Sequence, residues 1–550
     1  MVVPNNKITN KTYYISLAFI GFILIFPLID TRFIPGHDAV FQVSRIEDIA
    51  AVLQSGIFPA RMLVDSVRFW GSPIGFFYPS LFNHFPALLK LAGLPIEICY
   101  NFFIALIFYS GLFTSWHGFS MLTKSKALGF LSTCLYFSSG YYLLDAYTRN
   151  ALGELLALSF MPLAIACFFD IVNKPKITVK TFILLIFSIS AIIESHVLSA
   201  AFVALFGLLL IIFNYKKISS DKFKRIGSVA LIVLALNASF IIPFLYFFKN
   251  VPLSIDYVDN FTYSGWSAVT IIYFLVLKNF WLFTALYILF SVIIRSSSRF
   301  NLKKARIIYY LRLFSIGLLF MFASSSLFPW NQFPLLCNAF KIMQFSWRFM
   351  GIATLFLCIC GGIGLHLILN FFKLKQFKYY QLLSILVCFT GLISTFWYNV
   401  SPIGRMQEKT YWTRFPYYSD LDYLYRDTNV VTLVEQGNRY ITDATIANYK
   451  KELTTITFDY STLHDTDITL PLMNYPGYIV KGQDGQELSI KENHNHMIVI
   501  PLSAGNGHVK VHYEGLQLFK ITDYISLFSF LILIYFIIRI YKRNDWHKLI

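Results

Sequence analysis

Carboxylates, guanidinium groups and histidines cluster where apolar runs begin and end, positions from which polar chemistry can be done beside a membrane. The densest group is Gly36-His37-Asp38, followed by Gln42, Arg45, Glu47 and Asp48. Asp38 opens a helix, and Gln42 and Arg45, at i+4 and i+7, share its face. There the carboxylate can take the proton of a reacting hydroxyl, or it can cap the helix by accepting from free backbone N–H groups. The two roles can coexist. A second group runs Asp145-Ala-Tyr-Thr-Arg149-Asn-Ala-Leu-Gly-Glu154. Glu154 falls in or beside an apolar helix, where an unpaired carboxylate is costly and is by default functional or paired. Arg149 is its obvious partner, either in a site or in a structural ion pair that fixes a hairpin. A third group holds Lys341, Gln344, Trp347 and Arg348. Its guanidinium fork suits a lipid phosphate, and the Trp-Arg pair equally suits an interfacial anchor. Glu194-Ser195-His196 interrupts another apolar stretch, where a hairpin turn explains the polarity as readily as a site does.

The elements that position these groups are membrane helices. Of 550 residues, 56% are hydrophobic and 14% charged, with a mean hydropathy of +0.59; soluble domains carry roughly 25% charged residues. A hydrocarbon core of about 30 Å needs about 20 apolar residues per helix, and such runs recur almost to the C-terminus. The net charge of +17 does not form one basic face. Its lysines and arginines sit in short clusters between apolar runs, which argues for topology signals and against a nucleic-acid partner. The first run, 13–29, lacks a small-residue cleavage site and leads into Asp30, Arg32 and Pro35, as a retained first helix does. Six of the seven cysteines fall in apolar runs and Cys337 in a loop, with no disulfide framework and no zinc spacing.

The basic clusters are Lys7 with Lys11; Lys124 with Lys126; Lys174, Lys176 and Lys180; 216–225; 295–306; 373–378; and Lys542 with Arg543. Spans at 13–29, 97–117, 127–144, 155–172, 181–194, 197–213, 226–248, 280–294, 307–323, 347–371, 381–399 and 521–541 put every cluster inside. The expected fold is thus a polytopic α-helical membrane protein of about twelve spans with both termini cytoplasmic, and the richness in Lys, Asn, Ile and Phe points to an AT-rich bacterial genome and so to a bacterial cell membrane. The stretch 76–93 is broken by Pro79, Asn83, His84 and Pro86, and is expected in or on the outer leaflet. In the first outer loop, 30–96, Val43, Ile46, Ile49, Ala50, Leu53 and Ile57 recur at helical spacing, which predicts an amphipathic helix lying on the membrane and ending at Gly56 and Pro59. Domains are expected at 1–399 (membrane), 400–520 (a small extracytoplasmic β-rich domain on the first loop's side) and 521–550 (last span and tail). Alternating runs at 430–434, 454–458, 497–501 and 508–513 read as strands of the β-rich domain. Its Tyr411, Trp412 and Tyr475 suit sugar faces or ordinary core packing.

Gly-His-Asp-Ala-Val-Phe-Gln-Val-Ser-Arg-Ile-Glu at 36–47, then Gly56, Pro59, Arg61, Gly71-Ser-Pro and Phe77-Tyr-Pro, resemble the first outer loop of the bacterial YfhO-like membrane proteins and those labelled 6-pyruvoyl-tetrahydropterin-synthase-related. Blocks 149–154, 344–348 and Tyr475-Pro-Gly-Tyr478 are similar to that family too. The resemblance covers nearly the whole chain. It implies a GT-C type architecture and a glycosyltransferase that moves a sugar from a polyprenyl-phosphate donor to a cell-surface polymer or lipid acceptor. It also implies that Asp38 acts on the acceptor. Where the family pattern has His, this chain has Gln42. The pterin-synthase label finds no zinc-binding His cluster here.

On that reading Asp38 is the base and Glu154 assists it or orients Arg149. His37, Arg45, Arg149, His196 and Arg348 stand on the phosphate side. A divalent metal would take Asp38 and Glu154 as ligands, but no spacing demands one, and no nucleotide-binding loop or soluble cofactor is implied. The competing readings are a transporter or flippase of lipid-linked glycans and a non-enzymatic envelope scaffold. No inverted repeat is visible, and the polar groups gather at one face instead of at mid-membrane.

Overall fold

The computed structural model describes residues 8–29, 34, 36–63, 70–254, 260–295, 304–399 and 423–542. Lys7, Asp30, Arg32, Pro35, Tyr411, Trp412, Arg543 and most of the 295–306 cluster lie outside them. The structure is mostly helical, 67%, as backbone groups in an apolar medium require. In order come α1 (Asn10–Ile25), α2 (Ala39–Gln54), α3 (Ile74–Phe77), α4 (His84–Leu91), α5 (Ile96–Thr123), α6 (Lys126–Phe137), α7 (Gly140–Leu144), α8 (Leu152–Asn173), α9 (Val179–Ile193) and α10 (Val197–Phe213). Then follow α11 (Ser220–Leu236), α12 (Ala238–Asn250), α13 (Asn260–Tyr263), α14 (Ala268–Tyr273), α15 (Phe280–Arg295), α16 (Lys304–Ala323), α17 (Pro334–Phe340), α18 (Phe349–Phe371) and α19 (Phe377–Asn399).

Helix falls on each of the twelve expected stretches, but among the described residues only six helices are long and apolar enough to cross a membrane. Joining α11 to α12 would make a seventh, bent by 77°. The others fall short for local reasons. The stretch 127–144 breaks at Ser138-Ser139, where the Ser139 hydroxyl accepts from the Tyr142 N–H and starts α7. The stretch 182–213 divides into α9 and α10 at Glu194-Ser195-His196, as expected.

The core centres on α18 and α8, whose apolar windows are 94% and 89% buried, with α5, α6, α15 and α16 packed around them. Glycines permit the closest contacts: a Cβ on Gly364 of α18 would lie 2.0 Å from the Ala285 carbonyl oxygen. Cys337, expected in a loop, is buried in α17, and all seven cysteines are free.

The first-loop helix exists but does not lie on a surface. In α2, Gln42, Arg45 and Asp48 are buried together with Val43, Ile46 and Ile49. Internal partners make this tolerable: Arg45 donates to the Tyr78 and Pro79 carbonyls at 3.2 and 3.0 Å and to Gln42 Oε1 at 3.2 Å. After α2 the chain turns at Gly56 (φ +83°). The stretch 76–93 forms α3 and α4 with a break between, and no full span.

Beyond 423 come α20 (Val430–Gln436) and strands β1 (Thr445–Glu452), β2 (Thr455–Thr462), β3 (Thr466–Met473), β4 (Tyr478–Lys481), β5 (Lys491–Glu492), β6 (Met497–Leu502) and β7 (Gly505–Tyr513), then α21 (Gln517–Lys542). The strands form two antiparallel sheets, β1-β2-β7-β4 and β3-β6-β5. Their inward residues, such as Phe458, Ile468, Ile500 and Val511, share one apolar cluster with Trp70, Phe76 and Phe247, so the sheets dock on the first loop and the end of α12. The expected strand at 430–434 is instead α20: Asn429 Oδ1 accepts from the Val431 and Thr432 N–H groups, and this cap overrides the β-branched run. Tyr475, 1% exposed, stacks on Tyr425 and so serves packing, not a sugar face. By contrast, only 6% of the apolar window of α21 is buried.

Candidate functional site

Three segments far apart in sequence meet at one end of the bundle. The Gly36–Asp38 loop lies along the turn after α7, where the His37 N–H donates to the Thr148 carbonyl at 3.1 Å and the Asp38 N–H to the Arg149 carbonyl at 2.7 Å. Gly36 is required for this approach, since a Cβ there would sit 1.7 Å from Asn150 Oδ1. Asn150 takes a left-handed φ of +57°, and its Nδ2 donates to the Ala146 carbonyl at 2.8 Å. The wide turn at Asp145–Arg149 thus presents Arg149 beside Asp38.

Asp38 stands at the N-cap position of α2, yet its side chain accepts no hydrogen bond there. Capping is therefore not what occupies it. Burial raises its pKa above 3.8; Arg149, Arg348 and His37 pull the other way, and Glu154 adds to the rise. The result is a half-buried carboxyl with a raised affinity for a proton.

Glu154, at the start of α8, has a partner at each oxygen. Its Oε1 accepts from the Tyr141 hydroxyl at 2.7 Å, its Oε2 accepts from Arg149 Nη1 at 2.9 Å, and Arg348 Nε stands 3.8 Å from Oε2. Arg149 also pairs with Asp145 and lies 4.5 Å over the Trp347 ring. Arg348 donates to the Met343 carbonyl at 3.0 Å. With both oxygens engaged, Glu154 anchors the two guanidinium groups and is not placed to take a proton from a substrate.

His196, in the α9–α10 turn, is buried near Glu154, and its Nδ1 lies 2.9 Å from Ser199 Oγ. Burial holds its pKa down to about 4, with Glu154 opposing and the two arginines adding to the drop, so its ring is neutral at pH 7. His196, whose polarity a hairpin turn alone would explain, therefore reaches the cluster. Arg45 does not: its guanidinium sits inside, 4.7 Å over the Tyr78 ring and bonded to carbonyls. The expected phosphate-side role of Arg45 is corrected to holding Tyr78.

A cavity of about 140 Å³ opens here, with Tyr78, His196, Gln344 and Arg348 as its polar lining and Phe244, Phe248 and Tyr423 among its aromatic walls. Behind it, a pocket of about 20 Å³ reaches Glu154 and Met343. Gln344 holds a left-handed φ of +62° at the rim, a conformation that costs about 1–3 kcal/mol outside glycine. Among the described residues no group of three His, Cys, Asp or Glu side chains is placed to hold a metal ion.

Tyr141, Tyr78 and Asn150 were not singled out from sequence. The stretch 127–144 reads as one span, although Ser138-Ser139-Gly140 is the signal that could have marked α7 as a separate piece; nothing in the spacing tied Tyr141 to Glu154. No protein-family model matches the chain, and no curated protein matches it.

Proposed function

We propose that the chain is a GT-C type membrane glycosyltransferase. It takes a sugar from a polyprenyl-phosphate donor and passes it to a hydroxyl of a cell-surface acceptor, outside the cytoplasm. The observation that carries this reading is the placement of an uncapped, half-buried Asp38 beside two anchored arginines. Sugar transfer needs both: a base for the acceptor hydroxyl and fixed cations for the departing phosphate. The Asp38 carboxylate takes the hydroxyl proton as the acceptor oxygen bonds to the anomeric carbon. The bond from that carbon to the phosphate oxygen breaks, and its electron pair leaves with the lipid phosphate. Arg348, at the cavity, takes up that charge, with Arg149 behind it and neutral His196 donating or accepting a hydrogen bond. His37, exposed next to Asp38, is a further candidate for the phosphate side.

The twelve-span topology with cytoplasmic termini belongs to the same proposal. It is supported by helices on all twelve stretches and by basic clusters at alternate ends. The experiment compares surface glycans by mass spectrometry in a bacterial strain lacking the gene, complemented with wild type or Asp38→Asn at equal membrane abundance. Loss of one sugar in both the deletion and the variant is the expected result. A sugar restored in full by Asp38→Asn removes Asp38 from the chemistry. A deletion that changes no glycan overturns the transferase reading and favours a transporter or scaffold.

A further inference from the structure

Tyr78 stands in the wall of the cavity that Arg348 lines, and its ring is held from several sides. The Arg45 guanidinium lies 4.7 Å over its face and donates to the Tyr78 and Pro79 carbonyls at 3.2 and 3.0 Å. Phe41 meets the ring edge-on at 5.3 Å, and the His196 ring lies 6.2 Å away. Gly153 of α8 comes close as well, since a Cβ there would lie 3.3 Å from the Tyr78 ring.

None of these contacts uses the hydroxyl, which makes no hydrogen bond among the described residues. A tyrosine enclosed this way ordinarily finds a partner for its O–H. Burial pushes the pKa of this phenol up from 10; among the charges, Arg348 pulls hardest the other way, ahead of Arg45, while Asp38 and Glu154 add to the rise. The group therefore keeps its proton at neutral pH and is a donor. Arg348 also has an unused donor: its Nη1 serves the Met343 carbonyl, whereas its buried Nε makes no hydrogen bond among the described residues. His196 holds Ser199 through Nδ1, which leaves Nε2 on the same cavity.

We infer that the Tyr78 hydroxyl donates a hydrogen bond to a phosphate oxygen of the lipid phosphate that Arg348 takes up. The inference rests on the transferase reading for the identity of its ligand. A phosphate offers several acceptor oxygens, so one can meet the phenol while another meets the guanidinium, and both bonds are charge-assisted. Phe77, Phe244 and Phe248 line the rest of the cavity, and Phe248 is exposed on α12, where the hydrocarbon behind the phosphate can run out into the bilayer. The hydroxyl thus serves the ligand alone, and the fold does not need it.

The test measures binding separately from transfer. Full-length protein in phosphatidylcholine nanodiscs is offered a polyprenyl phosphate or the matching polyprenol, with inorganic phosphate as competitor, and the bound lipid is counted by native mass spectrometry. Wild type should hold the polyprenyl phosphate in preference to the polyprenol. Tyr78→Phe, which keeps the ring contacts, should weaken binding of the polyprenyl phosphate about tenfold or more. It should bind the polyprenol as wild type does and melt at the wild-type temperature. Equal binding of the polyprenyl phosphate by Tyr78→Phe overturns the proposal and leaves the transferase reading in place. A matching loss of polyprenol also overturns it, since the hydroxyl would then act through shape. Weakened phosphate binding in Tyr78→Phe, in a protein whose wild type transfers no sugar, would uphold the contact and sink the transferase reading. Wild type that holds polyprenyl phosphate no better than polyprenol overturns both. Displacement of the lipid by inorganic phosphate at equal concentration would assign the subsite to a free phosphate and overturn the lipid assignment.

Discussion

Asp38 separates the functional account from a purely structural one. Its folded pKa lies above 3.8, so folding favours the protonated form. The contribution to stability is therefore full below 3.8 and lost as pH rises through the folded value. Asp38→Asn should raise the melting temperature at pH 7, with the gain vanishing below about pH 4, while transfer falls by about 10²–10⁴-fold. Wild-type transfer should fall off in acid at a higher pH than an ordinary aspartate would give. His196 acts in the opposite sense. Its folded pKa of about 4 lies below the usual 6.5, so the neutral ring stabilises the fold above 6.5 and that stabilisation is lost as pH falls toward 4. His196→Gln should flatten the acid loss of stability in that window, measured by thermal denaturation at stepped pH. At Glu154, removal of charge leaves two guanidinium groups without their common partner. Glu154→Gln should destabilise by about 3–5 kcal/mol, whereas Tyr141→Phe removes one charge-assisted hydrogen bond, about 1.5–3 kcal/mol. These charged residues were legible in sequence because ionisable groups at the ends of apolar runs stand out. Tyr141 was not, because a tyrosine among aromatic neighbours carries no mark of its partner.

Interlocking turns, more than long helices, build the site. Gly36 and Asn150 fit as a pair, and neither periodicity nor composition announces a contact across more than a hundred residues. Gly36→Ala should drive the first loop off the 145–149 turn and abolish most activity while the bundle stays folded. Asn150→Gly, which tolerates the left-handed φ, should restore part of that activity in the double variant. Helix α2 was legible from its apolar spacing, but its burial was not: the partners of Arg45 are carbonyls of Tyr78 and Pro79, invisible to a helical pattern. The helix at 430–436 was misread as a strand because Val430, Val431, Thr432 and Val434 favour strands, whereas the Asn429 cap and the burial of Leu433 decide the outcome.

Among the described residues the molecule is a helical bundle carrying seven strands in two sheets, tied at a second node. Arg61 of the first loop pairs with Asp523 of α21 and donates to the Ser239 carbonyl at 2.7 Å; the Ser239 N–H donates to Ser526 Oγ at 2.8 Å. The otherwise exposed α21 is thereby fastened to the α11–α12 bend. Arg61→Met should cost about 2 kcal/mol and speed proteolysis at the start of α21, with Asp38 chemistry retained. Composition made the membrane bundle and the late β-rich region legible at this scale. It did not reveal how many helices cross, because breaks at Ser138-Ser139 and Asn237 depend on local capping and bending that hydropathy averages away. The central claim is that Asp38 and the two arginines transfer a sugar and do not merely carry one across. Its most direct test is release of polyprenyl phosphate by the purified protein in nanodiscs, given a panel of polyprenyl-phosphate hexoses and a surface-polymer acceptor. The account predicts acceptor-dependent release by wild type and its loss in Asp38→Asn. Intact donor with wild type across the panel, or equal release by Asp38→Asn, would contradict it.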